Sequence, residues 1–408
     1  MSTVDLPPFE EAPFVSDVVI VGGCGRAGLP LGIAMAARGL SVVLYDINEI
    51  AVDAVNAGDM PFAERGATEQ LPALVSAGTL HASADPASVH DAEHVIVVVG
   101  TPVDEYLNPV LGAVPDALRQ CAPHLRPGQL VVLRSTVYPG VTALTERVLD
   151  GLGLGEVDVA FCPERIAEGK ALTELFTLPQ IVSGRRGRAV DRAEKLFRRL
   201  TEKIVQLTPE EAELAKLFSN TWRYIQFATV NQFWMLANDH GLDFERIRSG
   251  IQQDYPRAAG IPAPGFTAGP CLFKDTMQLS AYSGNSFALG HSAMLVNEGL
   301  PLYVVKRLEE RYDLTTMRVG VLGTAFKGGS DDPRGSLAYK LRSVLAAKSG
   351  GVLCTDPYVD DDRLLPYEQV LRESDLLIIG APHEQYRTVD THKPVVDIWG
   401  LTGRGVLV

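Results

Sequence analysis

The chain has 408 residues, more than one hydrophobic core organises, so two or three domains are expected. A formal charge of −13 excludes the basic face that nucleic-acid binding needs; 46% hydrophobic and 21% charged residues are globular proportions, without the roughly 20-residue apolar run of a membrane span. Five cysteines (Cys24, Cys121, Cys162, Cys271, Cys354) stand singly, an odd, scattered set that fits a reducing cytoplasm and supplies no metal cluster.

Residues 1–16 are acidic and Pro-rich with no apolar signal core, and read as a disordered or draped arm. From Asp17 apolar strands alternate with amphipathic helices: DVVIVG, a helix LPLGIAMAARG ended by Gly39, LSVVLYD, then HVIVVVGTP and QLVVLRSTVYPG. Continuous Val/Ile runs bounded by turns suit a parallel sheet covered on both faces, so this region reads as a doubly wound α/β domain. From Pro209 to about His240 apolar residues recur at helical spacing without a breaker, giving one helix of about thirty residues. Helical segments follow near 275–281 and 293–310. A strand–glycine–helix–strand unit then returns in RVGVLGTAFK and GGVLCTDPYV, with LLIIGAP and PVVDIWG as further strands. The fold class is therefore α/β, two Rossmann-like doubly wound domains joined by a central helical domain with one long helix.

Between the first strand and helix stands Gly23-Cys24-Gly25-Arg26-Ala27-Gly28. In such a loop the first glycine makes the tight turn, the second admits a pyrophosphate and the third lets helix and strand pack, with phosphate at the helix N-terminus. Asp46, 23 residues after Gly23, is placed to hold ribose hydroxyls and to select NAD over NADP.

Four later segments carry polar residues suited to chemistry. Ser135-Thr136 end a strand, where their hydroxyls face a nicotinamide or a catalytic water, or simply cap a turn. Glu164 and Glu168, in CPERIAEG, either share one rim or are solvated surface acids. Lys216 and Asn220, four apart on the long helix, put an ammonium and an amide on one face, as oxyanion donors or as ordinary surface. In PGFTAGPCLFKD a Gly/Pro-rich loop runs into Cys271 at a helix start, with Asp275 four residues on. A helix N-terminus lowers a thiol pKa, which favours a nucleophile over an inert buried cysteine.

Taken in order, VGGCGRAGLPLG, YDIN, GTP, STVYPG, CPERIAEG, AELAKLFSN, PGFTAGPCLFKD, VLGTAFKGGSDDPRGS and TDPYV resemble the UDP-glucose, UDP-N-acetylmannosamine and GDP-mannose dehydrogenase family, from about Val18 to Trp399. The resemblance implies an NAD-binding domain at 17–207, a central helical dimerisation domain at 208–312 and a C-terminal nucleotide-sugar domain at 313–408, in a cytoplasmic homodimer with NAD as cofactor and no metal. It implies Cys271 as nucleophile, Lys216 and Asn220 as oxyanion stabilisers, and Asp275, Glu164 and Glu168 as acids handling protons or water, with Thr136 beside them. The cofactor would be held by Gly23, Gly25, Arg26, Ala27, Gly28, Asp46, Thr101, Pro102, Ser135, Thr136, Glu168 and Arg334. The nucleotide sugar would meet Glu164, Arg165, Lys216, Asn220, Arg257 from a neighbouring subunit, Gly265, Phe266, Thr267, Phe326 and Lys327.

The implied reaction is a four-electron oxidation of a sugar CH2OH to a carboxylate through a thiohemiacetal and a thioester on Cys271. Departures from the family pattern include Ala268 for a common Gly, Pro270, which removes an N–H beside the cysteine, and Arg26 where many members carry Tyr. A UDP-hexose or UDP-N-acetylhexosamine is the expected substrate. The alternatives are a GDP-mannose 6-dehydrogenase, a two-electron β-hydroxyacid-type dehydrogenase, and a non-catalytic nucleotide-sugar sensor.

Overall fold

The computed structural model describes residues 13–106, 108–266 and 269–403. The expected arm therefore falls mostly outside the described residues, as does Thr267. The chain forms two compact units, Met1–Thr101 with Leu111–Glu213, and Pro102–Val110 with Leu214–Val408.

In the first unit the strands are β1 (Ser16–Val21), β2 (Val42–Tyr45), β3 (Leu80–Ser83), β4 (Ala92–Val97), β5 (Leu130–Leu133), β6 (Asp158–Phe161), β7 (Gln180–Gly184) and β8 (Ile204–Leu207). Their spatial order is β3-β2-β1-β4-β5-β6-β7-β8, so chain order reverses between β1 and β4. Ligands of such sheets bind in the crevice at that switch point. The Val/Ile runs of β1, β2 and β5 are buried from end to end because helices cover both faces; every residue of the helix Gly28–Ala36 is buried.

The sheet departs from the sequence reading at its margins. β7 runs antiparallel to β6, pinned by the Ser183 hydroxyl on the Phe161 carbonyl at 2.7 Å, and β8 pairs parallel to β7. An otherwise parallel sheet commonly carries such a reversed margin. β3 and β8 escape the pattern because they are edges. β3 alternates buried with less buried residues, and none of the four residues of β8 is buried.

The long helix spans Pro209–Asp239, ending just before Gly241 at φ +67. A short helix, Phe244–Gln252, follows, and the two helical segments expected after it are longer than their sequence signals, at Gly269–Tyr282 and Ala288–Glu309. The helix Gly269–Tyr282 starts earlier because Pro270 falls at its second position, where an α-helix has no use for the missing N–H.

The second sheet has β9 (Arg318–Leu322), β10 (Gly351–Thr355), β11 (Leu376–Ile379) and β12 (Val395–Val396), all parallel in the order β10-β9-β11-β12. Its switch point lies between β9 and β11. Val230, Trp234 and Ala237 of the long helix, Leu300, Val304 and Leu308 of the helix Ala288–Glu309, and Val319, Val321 and Ile378 of the sheet form one hydrophobic core. No helix among the described residues is long and apolar enough to cross a membrane.

Candidate active site and dinucleotide loop

At the β1/β4 switch point the glycine roles are set by space. A Cβ on Gly28 would stand 2.5 Å from the Gly22 carbonyl, and one on Gly23 would strike the Leu44 backbone at 2.7 Å. Gly25 is different: its nearest neighbour would be 3.5 Å away, so this position faces open space where a phosphate fits. The turn itself is made one residue earlier than expected, by Gly22 at φ +79, while Gly23 serves close approach to β2. Asp46 is half-buried; one carboxylate oxygen accepts the Cys24 N–H at 3.0 Å and the other the Asn48 N–H at 3.0 Å. Arg26 forms an ion pair with Glu168 at 3.0 Å and lies over the Phe62 ring, joining the loop to the CPERIAEG segment.

That segment has two anchors no motif announced. Arg134 is fully buried, donating to Glu164 (Nε to Oε2 2.8 Å), to the Cys162 carbonyl and to Gln180, with its guanidinium over Phe197. The other Glu164 oxygen accepts the N–H groups of Arg165 and Ile166 at 2.7 and 3.0 Å. At the far end buried Glu64 accepts the N–H groups of Gly169 and Ala171. Arg165 turns its guanidinium to the Pro179 carbonyl, which directs the group expected to meet substrate toward its own unit. Ser135 is likewise committed, its hydroxyl donating to the Val99 carbonyl at 2.8 Å, and Thr101 donates to the Thr136 carbonyl at 2.6 Å. Pro102 is exposed, and its carbonyl accepts the Val110 N–H. Buried Glu213 caps the helix Val141–Gly151 through Gly140 and Thr142.

In the second unit the long helix and the helix Gly269–Tyr282 bring Lys216, Asn220, Cys271 and Asp275 together. Asp275 is fully buried; its Oδ2 accepts the Asn220 amide at 2.5 Å, and Lys274 Nζ lies 2.7 Å from its Oδ1. Asn220 keeps a second amide hydrogen beyond that bond. Cys271 is exposed yet densely surrounded. Burial first, then the Asp275 carboxylate, push its thiol above the ordinary value, while Lys274, Lys216 and Arg334 draw it down. This reverses the lowering expected at a helix start, because a helix terminus contributes only about 0.3–1 kcal/mol against desolvation and a carboxylate one turn away.

Glycines seat the cysteine loop on aromatic rings. Gly265, at φ +146, packs on Trp399, where a Cβ would stand 2.3 Å from the ring; Gly269, at φ +68, packs on Phe326. Asn231 of the long helix holds Gly265 from both sides, accepting its N–H at 2.9 Å and donating to its carbonyl at 3.2 Å. Phe266 was expected at the substrate, but its side chain is 1% exposed and edge-on to Trp399 in the core, leaving only its backbone for a ligand. Arg257 is exposed, its guanidinium over the Tyr255 ring.

The loop after β9 repeats the first one with its acid sealed. Gly323, at φ +91, donates to the Thr355 carbonyl as Gly22 does to Tyr45, and Asp356 ends β10 as Asp46 ends β2. The Asp356 side chain, however, is fully buried: its oxygens take the N–H groups of Thr324, Ala325, Tyr358 and Val359 and the His383 ring. It has no capacity left for a ribose, so this second loop cannot read a dinucleotide as the first does. Half-buried Phe326 and Lys327 follow, the ammonium over the phenyl ring, and Arg334 ion-pairs with buried Asp332.

An open glycine loop, a half-exposed acid at the neighbouring strand end and a cysteine flanked by lysines and a carboxylate define a dinucleotide-dependent oxidoreductase. Comparison with known proteins narrows this. The family models for the UDP-glucose/GDP-mannose dehydrogenase NAD binding, central and UDP binding domains match residues 17–201, 210–298 and 320–404. The UDP-N-acetyl-D-mannosamine dehydrogenase of Pyrococcus horikoshii is 32% identical over 401 residues, covering 93% of this chain and 94% of that one. The NDP-N-acetyl-D-galactosaminuronic acid dehydrogenase of Ralstonia nicotianae is 28% identical, covering 92% and 93%. The solved UDP-glucose dehydrogenase of Pyrobaculum islandicum superposes with a TM-score of 0.87 at 28% identity, covering 96% and 95%. The chain belongs to the UDP-glucose/GDP-mannose dehydrogenase family and is an NAD-dependent oxidoreductase.

Proposed function

We propose that this protein oxidises the C6 hydroxymethyl of a UDP-N-acetylhexosamine to the carboxylate, working as a cytoplasmic homodimer. In this reading residues 17–207 bind NAD, 208–312 form the dimer, and 313–408 hold the nucleotide. The observation that carries it is the cluster of Cys271, Lys216, Asn220 and Asp275 in one compact unit, seated by Gly269 on the Phe326 ring. The sugar class is supported by relatives acting on N-acetylated hexosamines.

NAD, where Gly25 and Asp46 leave room for it, supplies hydride acceptance, two equivalents per sugar. The chain's residues do the rest. Asp275, or a water it holds, takes the C6 hydroxyl proton as the aldehyde forms. The Cys271 sulfur bonds to the aldehyde carbon, and Lys216 with the second Asn220 hydrogen stabilises the oxygen of the thiohemiacetal. Loss of the second hydride leaves a thioester, and water cleaves its carbon–sulfur bond, returning the thiol and the acid. The covalent stage retains the aldehyde between oxidations.

The test is NADH formed per sugar consumed across a panel of UDP- and GDP-sugars. Two per UDP-N-acetylhexosamine supports the proposal; one signifies a simple alcohol dehydrogenase, and preference for GDP-mannose signifies the other branch. Thermal shift on the same panel supports the ranking, since a ligand at 100 times its Kd adds about 2.7 kcal/mol.

A further inference from the structure

Three consecutive residues at the end of β11 shape the loop that follows β9. Gly323 packs so closely on Ala381 that a Cβ would stand 2.7 Å away; Gly328 would meet the Pro382 carbonyl at 2.3 Å; and the Gly329 N–H donates to His383 Nδ1 at 3.0 Å. Phe326 and Lys327 lie between these anchors. The loop and its template thus face each other at the switch point of the second sheet.

His383 is fully buried, and a buried imidazole needs partners on both nitrogens. Because a backbone N–H donates to Nδ1, that nitrogen carries a lone pair, so Nε2 carries the hydrogen and donates to Asp356 Oδ2 at 3.0 Å. Tyr358 and Tyr386 pack edge-on to the ring at 5.0 and 5.7 Å and hold its plane. The imidazole therefore bridges the strand-end acid to the far end of the loop. The first sheet has the acid and the packing glycine (Gly22 on the Val98 carbonyl at 2.5 Å), but there the Asp46 oxygens take the Cys24 and Asn48 N–H groups, whereas Asp356 also takes the His383 ring.

We propose that His383 is a positioning residue that holds the Gly323–Gly329 loop, and with it Phe326 and Lys327, in the shape that receives the nucleotide sugar. The inference rests on the reading that Phe326 and Lys327 meet that substrate. Each nitrogen of the ring has an amide mimic: asparagine places its oxygen where Nδ1 lies, and glutamine reaches where Nε2 lies. His383→Asn thus keeps the acceptor for Gly329 and drops Asp356, whereas His383→Gln keeps the Asp356 link and frees the loop.

The experiment is steady-state kinetics of the full-length protein with UDP-N-acetyl-D-mannosamine as probe. H383Q should raise its KM about tenfold, roughly the worth of one buried hydrogen bond, with the KM for NAD changed less than about twofold. H383N should stay within about threefold of the parent. Equal KM values in the two variants, or an unchanged KM in H383Q, would overturn the proposal, since a merely structural histidine loses one buried bond in either. Gly328→Ala provides an independent arm should H383Q fold poorly: it pushes the loop off Pro382 and should raise the same KM, and no rise counts against the template. Lys327→Met separates the two levels. A KM raised by K327M but not by H383Q leaves the loop reading standing and removes His383, while no rise in either removes both.

Discussion

Among the five cysteines chemistry is sorted by environment. Cys24, Cys121, Cys162 and Cys354 are buried, which pushes their thiols up to about 12, 11, 12 and 11, whereas Cys271 is exposed. Iodoacetamide should therefore label Cys271 alone in the native protein, as peptide mass spectrometry would read. Because burial and Asp275 raise that thiol while Lys216 lowers it, Asp275→Asn should move the pH midpoint of labelling down and Lys216→Met should move it up. A D275N midpoint equal to the parent's would remove Asp275 as the source. Turnover should fall on the order of a thousandfold or more in Cys271→Ala and about 100- to 1000-fold in Lys216→Met, measured as uronate formed. Asp46 reads as the selector of NAD; Asp46→Ala should narrow the preference over NADP, and equal use of both cofactors by the unaltered protein would contradict that role. What could not be read from the residues alone was which polar groups are already spent. Ser135, Arg165 and Glu164 fit their motifs, but their partners (Val99, Pro179, Arg134) are brought to them by the fold.

At the scale of elements, loops are held by distant acids and amides. Burial alone would raise the Asp356 carboxyl, but the hydrogen bond that His383 donates and the surrounding N–H groups outweigh it, holding the group at about 2. A folded pKa below the unfolded value of 3.8 contributes stability that is complete above the unfolded pKa and is lost as pH falls through the folded one. Asp356→Asn should remove about 2 kcal/mol at pH 7 and flatten the fall of Tm between about pH 5 and pH 2, measured by calorimetry. Gly265→Ala should be worse, on the order of 3 kcal/mol, since it strains a φ of +146 and drives a methyl into Trp399. Neither Trp399 nor Asn231 was foreseen as a support of the cysteine loop: they lie 128 and 40 residues from Cys271 in sequence, and neither stands in a motif around it.

For the whole molecule the long helix carries the prediction. Trp234 is buried in the core of its own unit and contributes nothing to the helix surface. Phe218, Trp222, Phe233 and Leu236 are 54%, 61%, 48% and 52% exposed, and at 100° per residue they fall within about 60° of one another on the helix. A stripe of that kind on a monomer drives association. Light scattering should give about twice 44.0 kDa, and Trp222→Glu should lower the mass toward one chain; a parent protein at 44.0 kDa at micromolar concentration would refute the dimer.

The alternation of strands and helices, the long helix, the glycine loop with its acid and the cysteine after Gly269 were all legible from the residues, because each depends on neighbours in the chain: apolar periodicity, glycine space, a helix start. Folding alone revealed that β7 runs against β6, that the Asp356 oxygens are spent on four N–H groups and an imidazole while those of Asp46 take two, and that the Cys271 thiol is raised. Those outcomes turn largely on which groups meet across tens of residues. Pairing direction and the energy of a charge are set by neighbours in space, by desolvation and by hydrogen bonds, none of which a local pattern contains.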